Sequence, residues 1–285
     1  MTDHSFTLNL TCPDALGIVN AVSGWLVERQ CNIIESAQFG DPTTGLFAMR
    51  IRFRAEGQNQ SSGQLRRDFD RLAQRFEMTW NLRESDYRPR VLIMASREDH
   101  CVHDLLYRYR IGELNVEIPA VISNHPDIGD LVASHDIRFI HWPIDRSNRT
   151  QWDGPLLQLV DNEQIDFVVL ARYMQILSDF VCDSLPARII NIHHSFLPGF
   201  KGAKPYAQAY ERGVKLIGAT AHYVTSELDE GPIIEQDVVR VDHAMSTEEL
   251  AAVGRDIEKV VLARAVRYEA ELRVVLDGMK TIVFR

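Results

Sequence analysis

The fold of this chain is decided by an apolar run that ends in polar side chains, Arg188-Ile189-Ile190-Asn191-Ile192-His193. Similar apolar runs precede it at residues 91–94, 120–122, 139–143 and 165–170. Segments with helical spacing of apolar residues separate these runs, near Leu105, Leu131 and Leu156 and over residues 180–185. Strands that alternate with helices predict a doubly wound, Rossmann-like parallel sheet in an α/β fold, with its site beyond the carboxyl ends of the strands.

The first part of the chain follows a different pattern. Residues 6–10 alternate as a half-buried strand, residues 18–26 have the apolar spacing of a helix, and a short strand follows near residues 33–34. A second alternating segment from residue 47, a helical pattern over 65–76 and a last strand at 80–82 give the order βαββαβ. We therefore predict a ferredoxin-like domain over residues 1–85 and a second domain over residues 86–285. Arg50, Arg52 and Arg54 alternate with apolar residues, so we expect them on a face exposed to water.

The composition excludes several classes of protein. A length of 285 residues suits about two domains, and 45% hydrophobic with 25% charged residues is typical of a globular chain. With 31 Lys and Arg against 40 Asp and Glu the net charge is −9, which disfavours nucleic acid as a partner. We expect no signal peptide and no membrane span, a cytoplasmic location, and four reduced cysteines, because no pair has CxxC spacing.

Two segments carry the side chains of a candidate active site. Strand periodicity places Asn191 and His193 on one face, so an amide donor and a titratable imidazole point into the same space. The second segment, residues 218–232, is predicted to be a strand that runs into a Gly/Pro turn carrying Asp229. A carboxylate at the tip of such a turn can reach across to the imidazole.

These segments resemble a known family. Asn-Ile-His-x-Ser-x-Leu-Pro at residues 191–198 and Leu-Asp-x-Gly-Pro at residues 228–232 are similar to the folate-dependent formyltransferase and hydrolase superfamily. The resemblance implies a formyltransferase-type domain with Asn191, His193 and Asp229 as catalytic residues. His194, with residues 202–206 and 212–223, resembles the formyltetrahydrofolate deformylase branch, which implies hydrolysis of 10-formyltetrahydrofolate to tetrahydrofolate and formate in one-carbon and purine metabolism.

The same resemblance implies a set of substrate-binding residues around the catalytic ones. They are Arg172, Met174, Gln175, Ile176, Leu177, His194, Gly202, Thr220, His222 and Thr225. In the resemblance, residues 172–177 line the pterin pocket, while ordinary helix packing is the alternative interpretation of that segment. Lys201 and Lys204 are either solvated loop charges or partners of substrate carboxylates.

The amino-terminal βαββαβ unit resembles an ACT domain, a regulatory module found in the same architecture. In this resemblance Asp14, Gly17 and Ile18 form the turn that binds an amino-acid effector. The alternative is that Asp14 only caps the following helix and Gly17 only permits close packing. Because ACT units usually pair, we expect a homodimer or a homotetramer.

Three questions of mechanism follow. We expect no metal and no cofactor beyond the folate substrate, although His193, His194, His222 and Asp229 could form a zinc site. Residues 95–101 contain no glycine and carry Glu98 and Asp99, so we do not expect the phosphate loop of the glycinamide ribonucleotide formyltransferase branch there. Water is then the expected nucleophile. The alternatives are a transferase with an unrecognised small acceptor and a non-catalytic folate sensor.

Overall fold

The computed structural model describes residues 5–56, 61–144, 148, 150–199 and 205–285. Its first part contains β1 Ser5–Pro13, α1 Ile18–Glu28, β2 Cys31–Gly40, β3 Leu46–Ala55, α2 Ser62–Arg75 and β4 Thr79–Glu84. Its second part contains β5 Arg90–Ala95, α3 His100–Arg110, β6 Glu117–Ser123, α4 Gly129–Ala133, β7 Arg138–His141, α5 Asp153–Asn162, β8 Phe167–Ala171, α6 Asp179–Ser184, β9 Ile189–His193, α7 Pro205–Arg212, β10 Leu216–Tyr223, β11 Ile233–Arg240 and α8 Thr247–Ala270. The chain ends with a hairpin of β12 Val274–Asp277 and β13 Lys280–Val283.

The first unit has the predicted βαββαβ order. Its antiparallel sheet has the strand order β2-β3-β1-β4. Period-two alternation buries Leu8 of β1 opposite Ile51 of β3. The aromatic rings of Trp25 on α1 and Phe69 on α2 meet edge to face, with centroids 5.0 Å apart. Burial of one apolar face of the sheet against the two amphipathic helices therefore explains the fold of this unit.

The carboxyl-terminal hairpin belongs to the first unit, which comprises Met1–Tyr87 and Glu271–Arg285, while the second comprises Arg88–Ala270. This division differs from the predicted domain extents, because Val275 and Phe284 form a buried cluster with Ala48 of β3. The same segment covers Arg50, whose guanidinium donates to the Glu271 carbonyl at 3.1 Å. Arg50 is consequently 3% exposed, and the expectation that it faces water is wrong.

The turn before α1 explains the glycine of the predicted effector site. Gly17 has φ of 93°, and a Cβ placed there would meet nothing within 4 Å among the described residues. Backbone conformation, rather than close packing, therefore requires this glycine. Within the described chain no side chain caps the first turn of α1, so the interpretation of Asp14 as a helix cap is also wrong. Ile18 is buried in the core of the unit.

The second unit is built on a seven-stranded sheet with the order β11-β10-β9-β8-β5-β6-β7. β5 pairs in parallel with both β6 and β8, and β9 pairs in parallel with β8. Beyond β9, however, β10 and β11 run antiparallel, so the sheet is mostly rather than wholly parallel. From β5 the chain adds β6 and β7 on one side of the sheet. It then returns to add β8, β9, β10 and β11 on the other side. This change of direction opens a crevice at the carboxyl ends of β5 and β8.

Helices cover this sheet at the predicted places. The predicted helices near Leu105, Leu131 and Leu156 are α3, α4 and α5. None of the helices in the described part of the chain is long and apolar enough to cross a membrane.

Candidate active site

A cavity of about 620 Å³ lies at the carboxyl ends of β8 and β9. Most of the predicted site residues line it, namely Arg172, Met174, Gln175, Ile176, Leu177, Asn191, His193, His194, His222, Thr225 and Asp229. Gly202, Lys201 and Lys204 lie outside the described residues. The sequence pattern at residues 188–193 thus predicts both β9 and the position of the cavity at its carboxyl end.

Thr220 does not line this cavity. It is fully buried, and its hydroxyl donates to the Ser195 carbonyl at 2.9 Å while accepting from the Leu197 amide at 3.1 Å. These bonds hold the turn that follows β9. Its position agrees with a structural role better than with the direct substrate contact that the resemblance implies.

Asp229 is placed by a tight turn between β10 and β11. It has φ of 57°, a left-handed conformation that Asp tolerates better than most residues. Two residues later, a Cβ at Gly231 would lie 1.8 Å from the Tyr223 carbonyl oxygen, so only glycine allows the chain to pass there. The turn brings Asp229 Oδ1 to 3.3 Å from His193 Nδ1. The predicted contact between carboxylate and imidazole is therefore present.

Burial and hydrogen bonding act in opposite directions on Asp229. Burial alone raises the pKa of its carboxyl, but the hydrogen bond from His193 and the positive charge of that ring lower it by more. The pKa of Asp229 consequently lies below its ordinary value, and the group is an anion at neutral pH. The Asp229 anion therefore accepts a hydrogen bond from Nδ1 and fixes the orientation of the His193 ring.

The other ring nitrogen of His193 is free to bind a ligand. Nε2 is buried and has no hydrogen-bond partner among the described residues. A buried polar nitrogen without a partner is costly in a folded protein. Because His193 lines the cavity, this nitrogen is directed to where a substrate oxygen would complete its hydrogen bonding.

His222 determines how the Asn191 amide is oriented. His222 Nδ1 lies 2.8 Å from the Tyr223 carbonyl, which can only accept, so Nδ1 carries the proton. Burial lowers the pKa of His222, which keeps the ring neutral and leaves Nε2 as an acceptor. The Asn191 amide donates to Nε2 at 3.2 Å. Its second N–H remains to point into the cavity beside His193.

The ring of His194 lies beside that of His193, with the two ring centroids 5.1 Å apart. Burial and the nearby positive charge of Arg172 lower the pKa of His194 to about 4. The ring is therefore neutral at pH 7. It can donate or accept a hydrogen bond but does not add charge to the site.

Residues 172–177, hereafter the cavity wall, form an irregular loop between β8 and α6. The alternative interpretation of this segment as ordinary helix packing is therefore wrong. Met174 and Ile176 are 55% and 50% exposed, so the wall offers apolar side chains to a ligand. Arg172, at its start, has φ of 62°.

Sequence reasoning missed a buried carboxylate beside the cavity. Glu258 of α8 is 1% exposed, with Oε2 at 2.8 Å from His100 Nε2 and 3.4 Å from Arg172 Nε. The Tyr206 hydroxyl donates to the other carboxylate oxygen of Glu258. The Tyr206 ring occupies the space that a side chain at Gly254 would fill. Gly254 and Glu258, one helical turn apart on a buried face, are the sequence signal for this cluster.

This cluster also contains a possible metal-ligand set. His100, Cys101 and Glu258 bring ligand atoms within 4.8 Å of one another. Arg172, however, already pairs with Glu258 and would repel a cation. Burial also holds the pKa of the Cys101 thiol well above its ordinary value, so a thiolate ligand is unfavourable. The set fits a metal poorly, and the expectation of metal-free catalysis stays a prediction.

Comparison with known proteins identifies the family of this chain. Residues 89–266 match the family model described as formyl transferase. The chain is 49% identical to a formyltetrahydrofolate deformylase from Corynebacterium sp. (strain P-1), over 98% of this chain and 97% of that protein. It is 49% identical to a relative of the same name from Bacillus subtilis (strain 168), over 97% and 93% of the two chains.

Solved structures agree in both sequence and fold. A formyltetrahydrofolate deformylase from Burkholderia mallei matches with a TM-score of 0.94 and 49% identity, covering 99% of this chain and 100% of that one. A glycinamide ribonucleotide transformylase from Symbiobacterium toebii matches with a TM-score of 0.66 and 30% identity, over 72% and 98% of the two chains. The predicted α/β fold class is confirmed, and the chain belongs to the formyltetrahydrofolate deformylases within the formyl transferase family.

Proposed function

We propose that this chain hydrolyses 10-formyltetrahydrofolate to tetrahydrofolate and formate, with Asn191, His193 and Asp229 as the catalytic residues. The observation that supports this assignment is the unpartnered His193 Nε2 in the cavity, on a ring whose Nδ1 faces the Asp229 carboxylate. Such a ring is prepared to donate a hydrogen bond to an oxygen that becomes negative.

The reaction places that oxygen on the formyl group. Water attacks the formyl carbon while the Asp229 carboxylate takes one of its protons, and the carbonyl oxygen becomes an oxyanion. His193 Nε2–H and the free N–H of Asn191 donate to this oxyanion. The C–N10 bond then breaks as N10 accepts the proton that Asp229 took from the water. The product leaves as formic acid, which carries the oxygen and the second proton of that water and ionises to formate.

His222 serves this reaction as a positioning residue. In its neutral form it accepts a hydrogen bond from Asn191, which fixes the plane of the amide. The proton on Nδ1, held by the Tyr223 carbonyl, prevents Nε2 from becoming a donor that would turn the amide over. Asn191 therefore presents N–H, and not its carbonyl, to the oxyanion.

Transfer to a small acceptor is not favoured over hydrolysis. The relatives of highest similarity quoted above are named deformylases, and the loop after β5 carries Glu98 and Asp99 in place of a glycine-rich phosphate loop. A non-catalytic folate sensor would not need the His193 and Asp229 pair.

The remaining expectations concern regulation and assembly. We expect the first unit to respond to an amino acid through the turn at Asp14, Gly17 and Ile18, and to pair as a homodimer or a homotetramer. We also expect the enzyme to work in the cytoplasm, in one-carbon and purine metabolism. Calorimetry with glycine and methionine, alongside rate measurements, tests the effector; absence of both binding and a rate change would leave the unit as an oligomerisation module.

The function itself is tested by incubating the purified full chain with 10-formyltetrahydrofolate and no acceptor. Formate and tetrahydrofolate should appear in equal amounts, each molecule of substrate yielding one of each. If tetrahydrofolate forms only when an amine acceptor is added, the chain is a transferase. Tight binding of the substrate with no turnover would instead indicate a sensor.

A further inference from the structure

The cavity wall is an irregular loop, so its shape depends on bonds to neighbouring elements. One such bond joins it to β5: the Met174 amide donates to Ser96 Oγ at 3.0 Å. Ser96 directly follows the carboxyl end of β5 and is 3% exposed. Met174 is at the same time a residue whose apolar side chain faces the cavity.

The Ser96 hydroxyl is itself held in one orientation. It donates its single proton to Asn124 Oδ1 at 2.7 Å, and Asn124, which follows β6, is 5% exposed. With that proton engaged, the hydroxyl can only accept from the Met174 amide. A chain of two hydrogen bonds therefore connects the ends of β6 and β5 to the wall that follows β8.

These contacts lie at the crevice where the direction of the sheet changes. The wall begins at Arg172, whose left-handed φ of 62° accompanies an ion pair with Glu258. Two residues later, at Met174, the hydroxyl of Ser96 holds the wall a second time. Between these two anchors the backbone has little freedom, so the Met174 side chain is presented to a ligand without a further ordering cost.

We infer that Ser96 is a positioning residue that sets the affinity for the folate ring system by holding the cavity wall, without taking part in the chemical step. The inference rests on the proposed function for the identity of the ligand. Met174 is not a member of the group formed by Asn191, His193 and Asp229, so its displacement should weaken ground-state and transition-state binding equally.

The test is Ser96→Ala in the full chain, with formate release measured at steady state. Loss of the acceptor removes the bond that holds the Met174 amide, and KM should rise about tenfold while kcat stays within about twofold. The dissociation constant of tetrahydrofolate, measured by calorimetry, should rise by the same factor.

Ser123→Ala is the matched control. Ser123 is fully buried, and its hydroxyl donates to the Ser96 carbonyl at 3.4 Å and accepts from the His125 amide at 3.1 Å, so it does not bond to the wall. Both variants lose a buried hydroxyl and should lower the thermal midpoint by similar amounts. KM should change in Ser96→Ala alone.

Two results would overturn the inference: an unchanged KM in Ser96→Ala, or a fall in kcat with KM preserved. If Ser96→Ala does not fold, Asn124→Leu takes its place. This variant keeps the Ser96 hydroxyl but removes the acceptor of its proton, so the hydroxyl can rotate. An unchanged KM in Asn124→Leu would also contradict the inference. If the wild type releases no formate, the proposed function fails, and tetrahydrofolate affinity in the same variants still decides the role of Ser96.

Discussion

Replacement of Asp229 by asparagine separates charge from shape at the centre of the site. Asn tolerates the left-handed φ of 57° at this position, so the turn that closes over Gly231 should remain intact. Asp229→Asn therefore keeps the geometry but removes the negative charge that faces His193 Nδ1 and the base that accepts a proton from water.

The size of the effect follows from the distance between the two groups. At the observed 3.3 Å, opposite unit charges interact by about 5 kcal/mol at an effective dielectric constant of about 20. The two side chains are only 5% and 11% exposed, so solvent screens the pair weakly. Loss of this interaction corresponds to about 10³- to 10⁴-fold in rate, the upper part of the range expected for a general base.

The assay measures kcat for formate release and, independently, the affinity for tetrahydrofolate. We expect kcat to fall by that factor while affinity changes by less than about threefold. Glu230→Gln is the control, since it removes an equal charge from the adjacent exposed residue, which does not line the cavity. If Asp229→Asn retains even a tenth of the wild-type kcat, Asp229 is neither the base nor the partner of an imidazolium.

Four further outcomes are expected. Gly231→Ala should cost about 3 kcal/mol of unfolding free energy in urea, because its Cβ would overlap the Tyr223 carbonyl; a loss under about 1 kcal/mol would contradict the close approach. Glu258→Gln should cost about 3 kcal/mol at pH 7 by leaving Arg172 buried without its partner. Because the folded-state pKa of Glu258 lies below its ordinary 4.5, the wild-type advantage should be complete above that pH and vanish as pH falls through the lower value, and a pH-independent difference would refute it. The ring signals of His194 should stay constant in an NMR titration down to roughly pH 5, since its pKa is about 4; a transition centred near 6.5 would be contrary. Exhaustive chelation should leave formate release unchanged, whereas a loss restored by Zn²⁺ would establish metal catalysis.

Local patterns in the sequence predict much of the site, because strand periodicity is a property of adjacent residues. The alternation at 188–193 places Asn191 and His193 together on β9, and the apolar runs predict the positions of the other strands. The Gly231-Pro232 pair likewise predicts a turn, and the Asp229 carboxylate lies on that turn. In these cases a few consecutive residues determine both the reactive side chain and the element that carries it.

Other features depend on residues that are distant in the chain. Glu258 looks like an ordinary helical glutamate until the fold brings His100, 158 positions away, to its carboxylate. Ser96 becomes an acceptor for Met174 only where β5 and β8 lie side by side. No local pattern reports such pairs, because even the spacing of Gly254 and Glu258 on α8 does not identify the distant residue that contacts the carboxylate.

The sequence by itself thus determined the order of elements, the strand that carries the imidazole and the family to which the chain belongs. The tertiary structure alone decided that Arg50 is buried, because its cover comes from the far end of the chain, and that His222 is neutral with its proton on Nδ1. Burial and charge pairing are sums over everything packed around a group, so they are defined only once the chain has folded.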